Sequence, residues 1–156
     1  MLYFAYGSNM DFKQMRQRCP SAQFVAVAKL PNHRLEFTRE SKKWQCGVSD
    51  VVESSREDVW GVVYDITETE FASLDQDEGF RPGRAKSENS YNREQRHVFR
   101  DGDENQPILV WIYIGNHQSD PPLPNTAYKQ QLVNGAKYWH LPPTYIAKLK
   151  KIKTSK

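Results

Sequence analysis

The sequence predicts a single α+β domain, built on a small, mixed, barrel-like β-sheet with flanking helices. Two observations favour this fold class. Short stretches rich in β-branched and aromatic residues recur along the chain, and only a few helical patterns interrupt them. Because strands and helices do not alternate regularly, a doubly wound parallel sheet is not expected. The length of 156 residues is ample for one hydrophobic core.

The chain opens with a short strand that breaks at Gly7 and turns into a helix. The aromatic residues of segment 3–6 are strand formers, and Gly7 adopts a positive φ more freely than its neighbours. Ser8, Asn9 and Asp11 are all suitable helix N-caps. A strand, a small-residue turn and a helix start expose backbone N–H groups that suit a small anion such as a carboxylate. A tight turn without any ligand is the alternative interpretation.

The remaining elements follow from periodicity and from capping signals. The later strands are predicted at residues 24–30, 35–38, 46–52, 59–66, 91–99 and 108–114, and the helices at 11–18, 68–78, 126–140 and 144–152. Thr67 and Glu70 form a capping box at the start of the second helix, and Gly79 is its expected C-terminal stop.

Two segments are predicted to be connections rather than elements. The charged residues 53–58 are expected to join two separate strands. The stretch Phe80–Ser90 is rich in Arg, Pro, Gly and Ser, so we expect a mobile loop there. Pro31 and Asn32 are expected to interrupt the strand that begins near residue 24.

Composition restricts the class of protein. With 38% hydrophobic and 12% aromatic residues, the chain is too apolar to be disordered, and no apolar run is long enough to span a membrane. The N-terminus lacks the basic flank and apolar run of a signal peptide. Cys19 and Cys46 form neither a metal-binding spacing nor a disulfide framework. We therefore expect a reduced, cytoplasmic setting.

The net charge of +3 originates at the C-terminus. Five of the last nine residues are lysine and none is acidic, whereas the rest of the chain carries a slight excess of acid. The basic character therefore belongs to a tail and does not mark a nucleic-acid-binding face. We assign residues 1–147 to a single domain and residues 148–156 to a solvated basic tail.

Helical geometry singles out one carboxylate in the acidic end of the second predicted helix. At about 100° per residue, Phe71 and Leu74 define the buried stripe. Glu78 points with them into the protein, whereas Asp77 points to solvent. Burial, the helix dipole and the like charges of Asp75 and Asp77 should all raise the pKa of Glu78 toward neutrality. A group with such a pKa can both accept and return a proton. A surface glutamate at an acidic helix end is the alternative interpretation.

Four segments, in this order and spacing, resemble the γ-glutamylcyclotransferase family. They are YFAYGSNM at 3–10, VWGVVYDI at 59–66, LDQDEG at 74–79, and PPLPNTAYK at 121–129 followed by GAK at 135–137. One segment would be weak evidence, but together they cover nearly the whole chain. The opening YFAYGSN looks closer to the enzymes for γ-glutamyl amino acids than to the glutathione-specific or γ-glutamylamine branches.

The resemblance implies a fold and a set of site residues. The family's fold is a small barrel-like sheet with flanking helices, which agrees with the fold class above. The turn at 6–9 would cradle the α-carboxylate of the glutamyl group, Glu78 would be the catalytic glutamate, and three tyrosines would line the pocket. The implied residues are Tyr6, Gly7, Ser8, Asn9, Glu78, Tyr91, Tyr113 and Tyr128. Matching Tyr113 to the family's pattern requires a gap of one residue. Matching Tyr91 requires that the loop after Gly79 be longer in this chain than in related enzymes.

The implied reaction converts γ-glutamyl amino acids or peptides to 5-oxoproline and a free amine. The α-amine attacks its own γ-carbonyl, and Glu78 acts as general base and then as general acid. No cofactor is required, because the nucleophile and the electrophile belong to one molecule. The developing oxyanion needs donors, and both backbone N–H groups at Gly7 and Ser8 and a tyrosine hydroxyl are candidates.

The expected partner is a small γ-glutamyl substrate, with no nucleic acid and no membrane, and we allow for a homodimer. No metal site is predicted, because the histidines show no ligand spacing with each other or with the cysteines. The histidines are His33, His97, His117 and His140.

Two other functions fit parts of the sequence. A γ-glutamyl amine or a biosynthetic γ-glutamyl intermediate would keep Glu78 but change the leaving group. Arg81 and Arg84 in the long loop would then suit a second carboxylate on the substrate. A non-catalytic module that binds a small ligand, or single-stranded RNA by aromatic stacking, is the alternative from another class. The acidic body of the chain argues against RNA.

Overall fold

The computed structural model describes residues 1–155 and contains five strands and four α-helices over that range. The strands are β1 (Leu2–Ala5), β2 (Gln23–Ser41), β3 (Cys46–Asp65), β4 (Tyr91–Arg100) and β5 (Pro107–Gly115). The helices are α1 (Phe12–Arg18), α2 (Glu68–Asp77), α3 (Thr126–Tyr138) and α4 (Pro143–Lys150), and short 3₁₀ turns lie at Ser8–Met10 and Lys86–Glu88. The predicted α+β class is therefore confirmed.

The strands close into a barrel in the order β1-β3-β2-β4-β5. Neighbouring strands are antiparallel except where β1 meets β5, and there Tyr3 lies opposite Trp111 in a parallel pair. Closure gives every strand two neighbours, so backbone hydrogen-bonding groups are satisfied within the sheet. The barrel is the scaffold to which the helices attach.

The long strands β2 and β3 correct the predicted connections in the middle of the chain. Both were expected to be interrupted, at Pro31 and Asn32 and at residues 53–58, yet each is continuous. They pair along their length, and a register shift between Pro31 and His33 accommodates the proline, which has no N–H to donate. A charged run is compatible with a strand where its partner supplies the hydrogen bonds and its side chains reach solvent.

Helix α2 begins and ends as its sequence predicts. The Thr67 hydroxyl accepts from the Glu70 N–H, and the Glu70 carboxylate accepts from the Thr67 N–H, which completes the capping box. At the other end Gly79 takes a positive φ of 69°. The Gly79 N–H donates to Gln76 O and the Phe80 N–H donates to Asp75 O, which is the Schellman arrangement. This ending fixes the direction in which Glu78 projects.

The core joins the barrel to the helices. Phe4 from β1, Phe71 from α2, Leu132 from α3 and Leu149 from α4 are all fully or almost fully buried. Because Leu149 belongs to this core, the boundary predicted between residues 147 and 148 falls inside α4. The Ser155 N–H also donates to Pro124 O at 2.9 Å, so the basic end packs on the body of the protein. Within residues 1–155, no helix has the length and apolar character that crossing a membrane requires.

Candidate active site

A cleft of about 500 Å³ opens between the N-terminal turn, the end of the β2–β3 hairpin and the end of α2. All of the site residues that the resemblance implied line this cleft, although they are spread along most of the chain. They are Tyr6, Gly7, Ser8, Asn9, Glu78, Tyr91, Tyr113 and Tyr128. The fold thus brings the whole predicted set together, while the role of each residue stays a prediction.

The N-terminal turn, residues 6–9, needs glycine for a reason other than the predicted one. Gly7 has φ −117° and ψ −136°, so the prediction of a positive φ is wrong. A Cβ atom at Gly7 would instead overlap the Ser49 Oγ of β3. The turn therefore lies against β3 more closely than any other residue type would allow.

The same turn presents unused backbone donors to the cleft. Among residues 1–155, no acceptor faces the backbone N–H groups of Gly7, Ser8 and Asn9, as expected at the start of a helical turn. Two of the side chains accept hydrogen bonds, since Gln14 Nε2 donates to both Ser8 Oγ and Asn9 Oδ1 at 2.9 Å. An anion held here would therefore meet the backbone donors together with the hydrogen of the Ser8 hydroxyl, which has no acceptor among residues 1–155.

Glu78 projects from the end of α2 into the cleft with 19% of its side chain exposed. Burial is the largest cause that raises its pKa, to about 7, and the negative charges of Asp77 and Asp75 act in the same direction. The predicted direction is thus confirmed. Arg18, whose Nη1 lies 4.0 Å from Glu78 Oε1, and Lys43 oppose the shift. The result is a carboxyl group that is close to half ionised at neutral pH.

The tyrosines around the cleft are held by their own hydroxyl groups. Tyr6 donates to Tyr113 O at 2.6 Å, and Tyr91 donates to Ser49 O at 2.7 Å. The Tyr113 hydroxyl donates to Asp75 Oδ1 at 2.6 Å. These bonds fix the positions of the rings. They also occupy the hydroxyl hydrogens, which are then not available for a hydrogen bond to a substrate. Burial raises the pKa of all these phenols, so they stay protonated at neutral pH.

Ser49 links the two sides of the cleft and was missed by sequence reasoning. Its N–H donates to the Tyr128 hydroxyl at 3.0 Å, its Oγ lies 2.8 Å from the same hydroxyl, and its carbonyl accepts from Tyr91. Its side chain also faces Gly7. The signal in the sequence was weak, because Ser49 is one of several polar residues in β3 and no local pattern distinguishes it from the others.

The Gly79–Ser90 loop delivers Tyr91 to the cleft. It is held by hydrogen bonds rather than left free as predicted: the Ser90 N–H donates to Gly79 O at 3.1 Å, which closes the loop at its base. Asn89 is buried, and its Oδ1 accepts from the Arg81 N–H and from Arg84 Nε. The longer loop therefore returns to its starting point, and β4 begins at Tyr91, which lines the cleft together with Glu78.

A family model described as gamma-glutamyl cyclotransferase, AIG2-like, matches residues 3–141. The chain belongs to this family. A mouse protein named gamma-glutamylcyclotransferase is 36% identical over 97% of this chain and 78% of its own length, and the human protein of that name is 35% identical over the same shares. A solved structure called gamma-glutamyl cyclotransferase superposes with a TM-score of 0.88 at 31% identity, covering 99% of this chain and 89% of that one.

These matches confirm the predicted family, the predicted fold and the predicted class of enzyme. Solved structures of lower identity share the fold alone; one is YkqA from Bacillus subtilis, with a TM-score of 0.77 at 21% identity over 99% of this chain and 56% of that one. The substrate and the part played by each residue are not given by these comparisons.

The cations at the mouth of the cleft are not the predicted ones. Arg84 lies outside the cleft, where it donates to Gly79 O and to Asn89, and Arg81 is exposed. The cleft is lined instead by Arg18 from α1 and by a group on the β2–β3 hairpin: Arg39, Lys42 and Lys43. Within residues 1–155, no group of three or more His, Cys, Asp or Glu side chains could hold a metal ion.

Proposed function

We propose that this protein converts γ-glutamyl amino acids or peptides to 5-oxoproline and the free amino acid or peptide. One observation carries the proposal: a carboxyl group with a pKa of about 7 shares a cleft with a turn that presents free backbone N–H groups. The family membership supports it, because relatives about 35% identical bear the name gamma-glutamylcyclotransferase.

The N-terminal turn would hold the substrate in the reactive conformation. The α-carboxylate of the glutamyl group is a small anion, and the N–H groups of Gly7, Ser8 and Asn9 are unused donors at one end of the cleft. Anchoring that carboxylate folds the chain of the substrate so that its α-nitrogen lies close to its γ-carbonyl carbon. The substrate then loses its conformational entropy when it binds, so this loss no longer adds to the activation barrier.

Glu78 would move a proton in both directions. Ionised Glu78 removes a proton from the α-ammonium group, and the freed nitrogen attacks the γ-carbonyl carbon to form the ring C–N bond. Protonated Glu78 then returns that proton to the leaving nitrogen as the original amide bond breaks. The ring nitrogen gives up its second proton through the Glu78 carboxylate to the released amine, which leaves a neutral lactam and an ammonium group. A carboxyl with a pKa of about 7 suits both steps, because neither protonation state is costly at neutral pH.

The mouth of the cleft favours a leaving group that bears a carboxylate. Lys42 and Lys43 extend from the turn of the β2–β3 hairpin, and Arg39 lies over the Tyr91 ring while donating to Asn116 O. This cationic group suits an amino acid or peptide as the leaving group better than an uncharged amine. We therefore place γ-glutamyl amino acids ahead of γ-glutamyl amines.

The purified protein should release 5-oxoproline from γ-glutamyl-alanine, and a panel with glutathione and a γ-glutamyl amine ranks the leaving groups. Glu78→Gln should lower kcat by about 1,000-fold, since the amide cannot carry the proton. Glu68→Gln, an exposed glutamate on the same helix, is the matched control and should keep full activity. If Glu78→Gln keeps most of its turnover, the mechanism is wrong; if the parent protein releases no 5-oxoproline from any substrate, the function is wrong.

A further inference from the structure

Five tyrosines line the cleft, and they differ in whether the hydroxyl hydrogen is already used. Tyr6, Tyr91 and Tyr113 each donate to an oxygen of the protein. Tyr128 has Ser49 Oγ at 2.8 Å as a partner that can accept. Tyr3 is different, because its only hydrogen bond within residues 1–155 is one that it accepts.

The Tyr3 hydroxyl accepts a hydrogen bond from Asn9, so its own hydrogen must point away from Asn9. Asn9 Nδ2 donates to it at 3.0 Å, and the orientation of the Asn9 amide is fixed on the other side. There Asn9 Oδ1 accepts from Gln14 Nε2 at 2.9 Å and from Arg18 Nη1 at 3.2 Å. Both donors require an oxygen at that position, so the amide nitrogen faces Tyr3. The Tyr3 oxygen thus receives a hydrogen from Asn9, and its own hydrogen has no acceptor among the described residues.

The ring of Tyr3 is also firmly placed. It contacts Phe71, Tyr113 and Tyr64, with ring centroids 5.9, 5.8 and 6.5 Å away. Burial and then the charge of Glu78 raise its pKa far above that of a free phenol. Tyr3 consequently remains protonated at neutral pH, and it lines the cleft together with Glu78.

We propose that Tyr3 is a further catalytic residue, whose hydroxyl donates a hydrogen bond to the γ-carbonyl oxygen of the substrate as that oxygen becomes an oxyanion. The proposal rests on the cyclisation proposed above. When the α-nitrogen forms its bond to the carbonyl carbon, the π electrons of the C=O bond move to the oxygen. Tyr3 stabilises this charge without transferring its proton. The electrons return to the carbonyl as the leaving nitrogen takes a proton from Glu78 and departs.

A buried, fixed donor aimed at a developing charge is worth more than the same group in water, because it needs no reorganisation during the reaction. The other candidate donors have other uses. The N–H groups of the N-terminal turn and the Ser8 hydroxyl, which belongs to the same turn, face the α-carboxylate in the proposed binding mode, and the hydroxyls of Tyr6, Tyr91 and Tyr113 are engaged. Tyr128 has Ser49 Oγ available as an acceptor, whereas Tyr3 has no acceptor among residues 1–155, so we assign this bond to Tyr3.

The test compares Tyr3→Phe with the parent protein on γ-glutamyl-alanine. The variant keeps the ring and loses only the hydroxyl, so kcat should fall by about 100-fold while KM changes by less than about threefold. Tyr145→Phe is the matched control: Tyr145 is buried, does not line the cleft, and should keep the activity of the parent. Circular dichroism and Tm establish that both variants are folded.

The proposal is overturned if the parent protein is active and Tyr3→Phe has an unchanged kcat or a change in KM alone. The proposed function then still stands. An inactive parent protein would overturn both. If Tyr3→Phe does not fold, 3-fluorotyrosine at position 3 retains the hydroxyl and makes it a stronger donor. A change in kcat of at least about twofold then supports the proposal, and an unchanged kcat contradicts it.

Discussion

The N-terminal turn and the Gly79–Ser90 loop bring residues to opposite sides of one cleft by different means. The turn is four residues long and lies so close to β3 that even a methyl group at Gly7 would overlap Ser49. The loop is three times as long, yet at its tip a Cβ added to Gly83 would meet nothing within 4 Å. Gly83 takes a positive φ of 81°, so its backbone favours glycine although its surroundings leave room for a side chain. The comparison teaches that the two glycines are required for different reasons, contact with β3 at Gly7 and backbone conformation at Gly83.

Of the effects expected from changes in these two segments, the largest is at Gly7 in the N-terminal turn. Gly7→Ala should lower kcat/KM by at least about 100-fold. The added methyl group would overlap Ser49 Oγ and push the N-terminal turn away from β3, so the substrate whose α-carboxylate the turn holds would be misplaced. Steady-state kinetics on γ-glutamyl-alanine measure the loss.

A second substitution makes this prediction specific to one contact. With Ser49→Ala in the same chain, the added methyl group at Gly7 meets the remaining Cβ at an ordinary 3.5 Å. The double variant should therefore be more active than Gly7→Ala alone. A double variant that is no better than the single one would show that the overlap with Ser49 Oγ is not the reason for the glycine. Pro82→Ala, at the exposed tip of the loop, is the control and should leave kcat/KM unchanged.

Glu78 stands where the loop begins, and its raised pKa has an effect on stability. The folded-state pKa of about 7 exceeds the ordinary 4.5, so the folded protein holds the proton more tightly than the unfolded chain. The resulting stabilisation is complete below pH 4.5 and is lost as the pH rises through 7. Glu78→Gln should therefore increase the free energy of unfolding by about 3 kcal/mol near pH 8 and by little near pH 4. Urea unfolding at both pH values tests this.

The matched control for stability is again Glu68→Gln, which is exposed in the first turn of the same helix. Its free energy of unfolding should show no comparable dependence on pH. If Glu78→Gln raised the free energy of unfolding equally at both pH values, the cause would be packing, which does not depend on ionisation, and not the raised pKa of Glu78.

A substitution at Asn89 tests the Gly79–Ser90 loop. Asn89→Ala removes the acceptor for the Arg81 N–H and Arg84 Nε, together with the donor to Asn92 Oδ1. The free energy of unfolding should fall by about 2 kcal/mol. Activity should fall by less than about threefold, because Tyr91 keeps its own hydrogen bond to Ser49.

Glu88→Ala, an exposed neighbour, should change neither property. A loss of activity in Asn89→Ala as large as that in Gly7→Ala would remove the distinction between the two sides of the cleft.

The smallest effect concerns Arg18, which connects the two sides by donating to Asn9 and by lying close to Glu78. Arg18 lowers the pKa of Glu78 and Asp77 raises it. The reaction requires ionised Glu78, so kcat/KM falls as the pH drops through this pKa. The acid limb of the pH profile should move to higher pH in Arg18→Gln and to lower pH in Asp77→Asn. Shifts in the same direction would contradict this electrostatic account.

Patterns that depend on local geometry were predicted well. The phase of α2 placed Glu78 with Phe71 and Leu74, and the structure agrees, because helical periodicity and the capping signals at Thr67 and Gly79 are local properties. The barrel class followed from the number and length of the apolar stretches. These features do not require knowledge of which segments meet in space.

Features that depend on contacts between distant segments were missed. The continuity of β3 through its charged residues follows from pairing with β2, which no local pattern reveals. The reason for Gly7 lies in Ser49, and the significance of Tyr3 lies in its bond with Asn9 and in the engagement of the other tyrosines. Sequence periodicity identifies Tyr3 only as a strand former, because it does not report whether a hydroxyl hydrogen has a partner.

The hydrogen bond between Ser90 and Gly79 has a consequence for how this chain can vary. Since the loop closes at its base, segments of different length can be accommodated between these residues while Glu78 and Tyr91 keep their separation. Changes in the length of this loop should therefore have little effect on the positions of Glu78 and Tyr91 in this chain. The exposed tip at Pro82 and Gly83 is for the same reason a suitable place to insert a reporter peptide into a working enzyme.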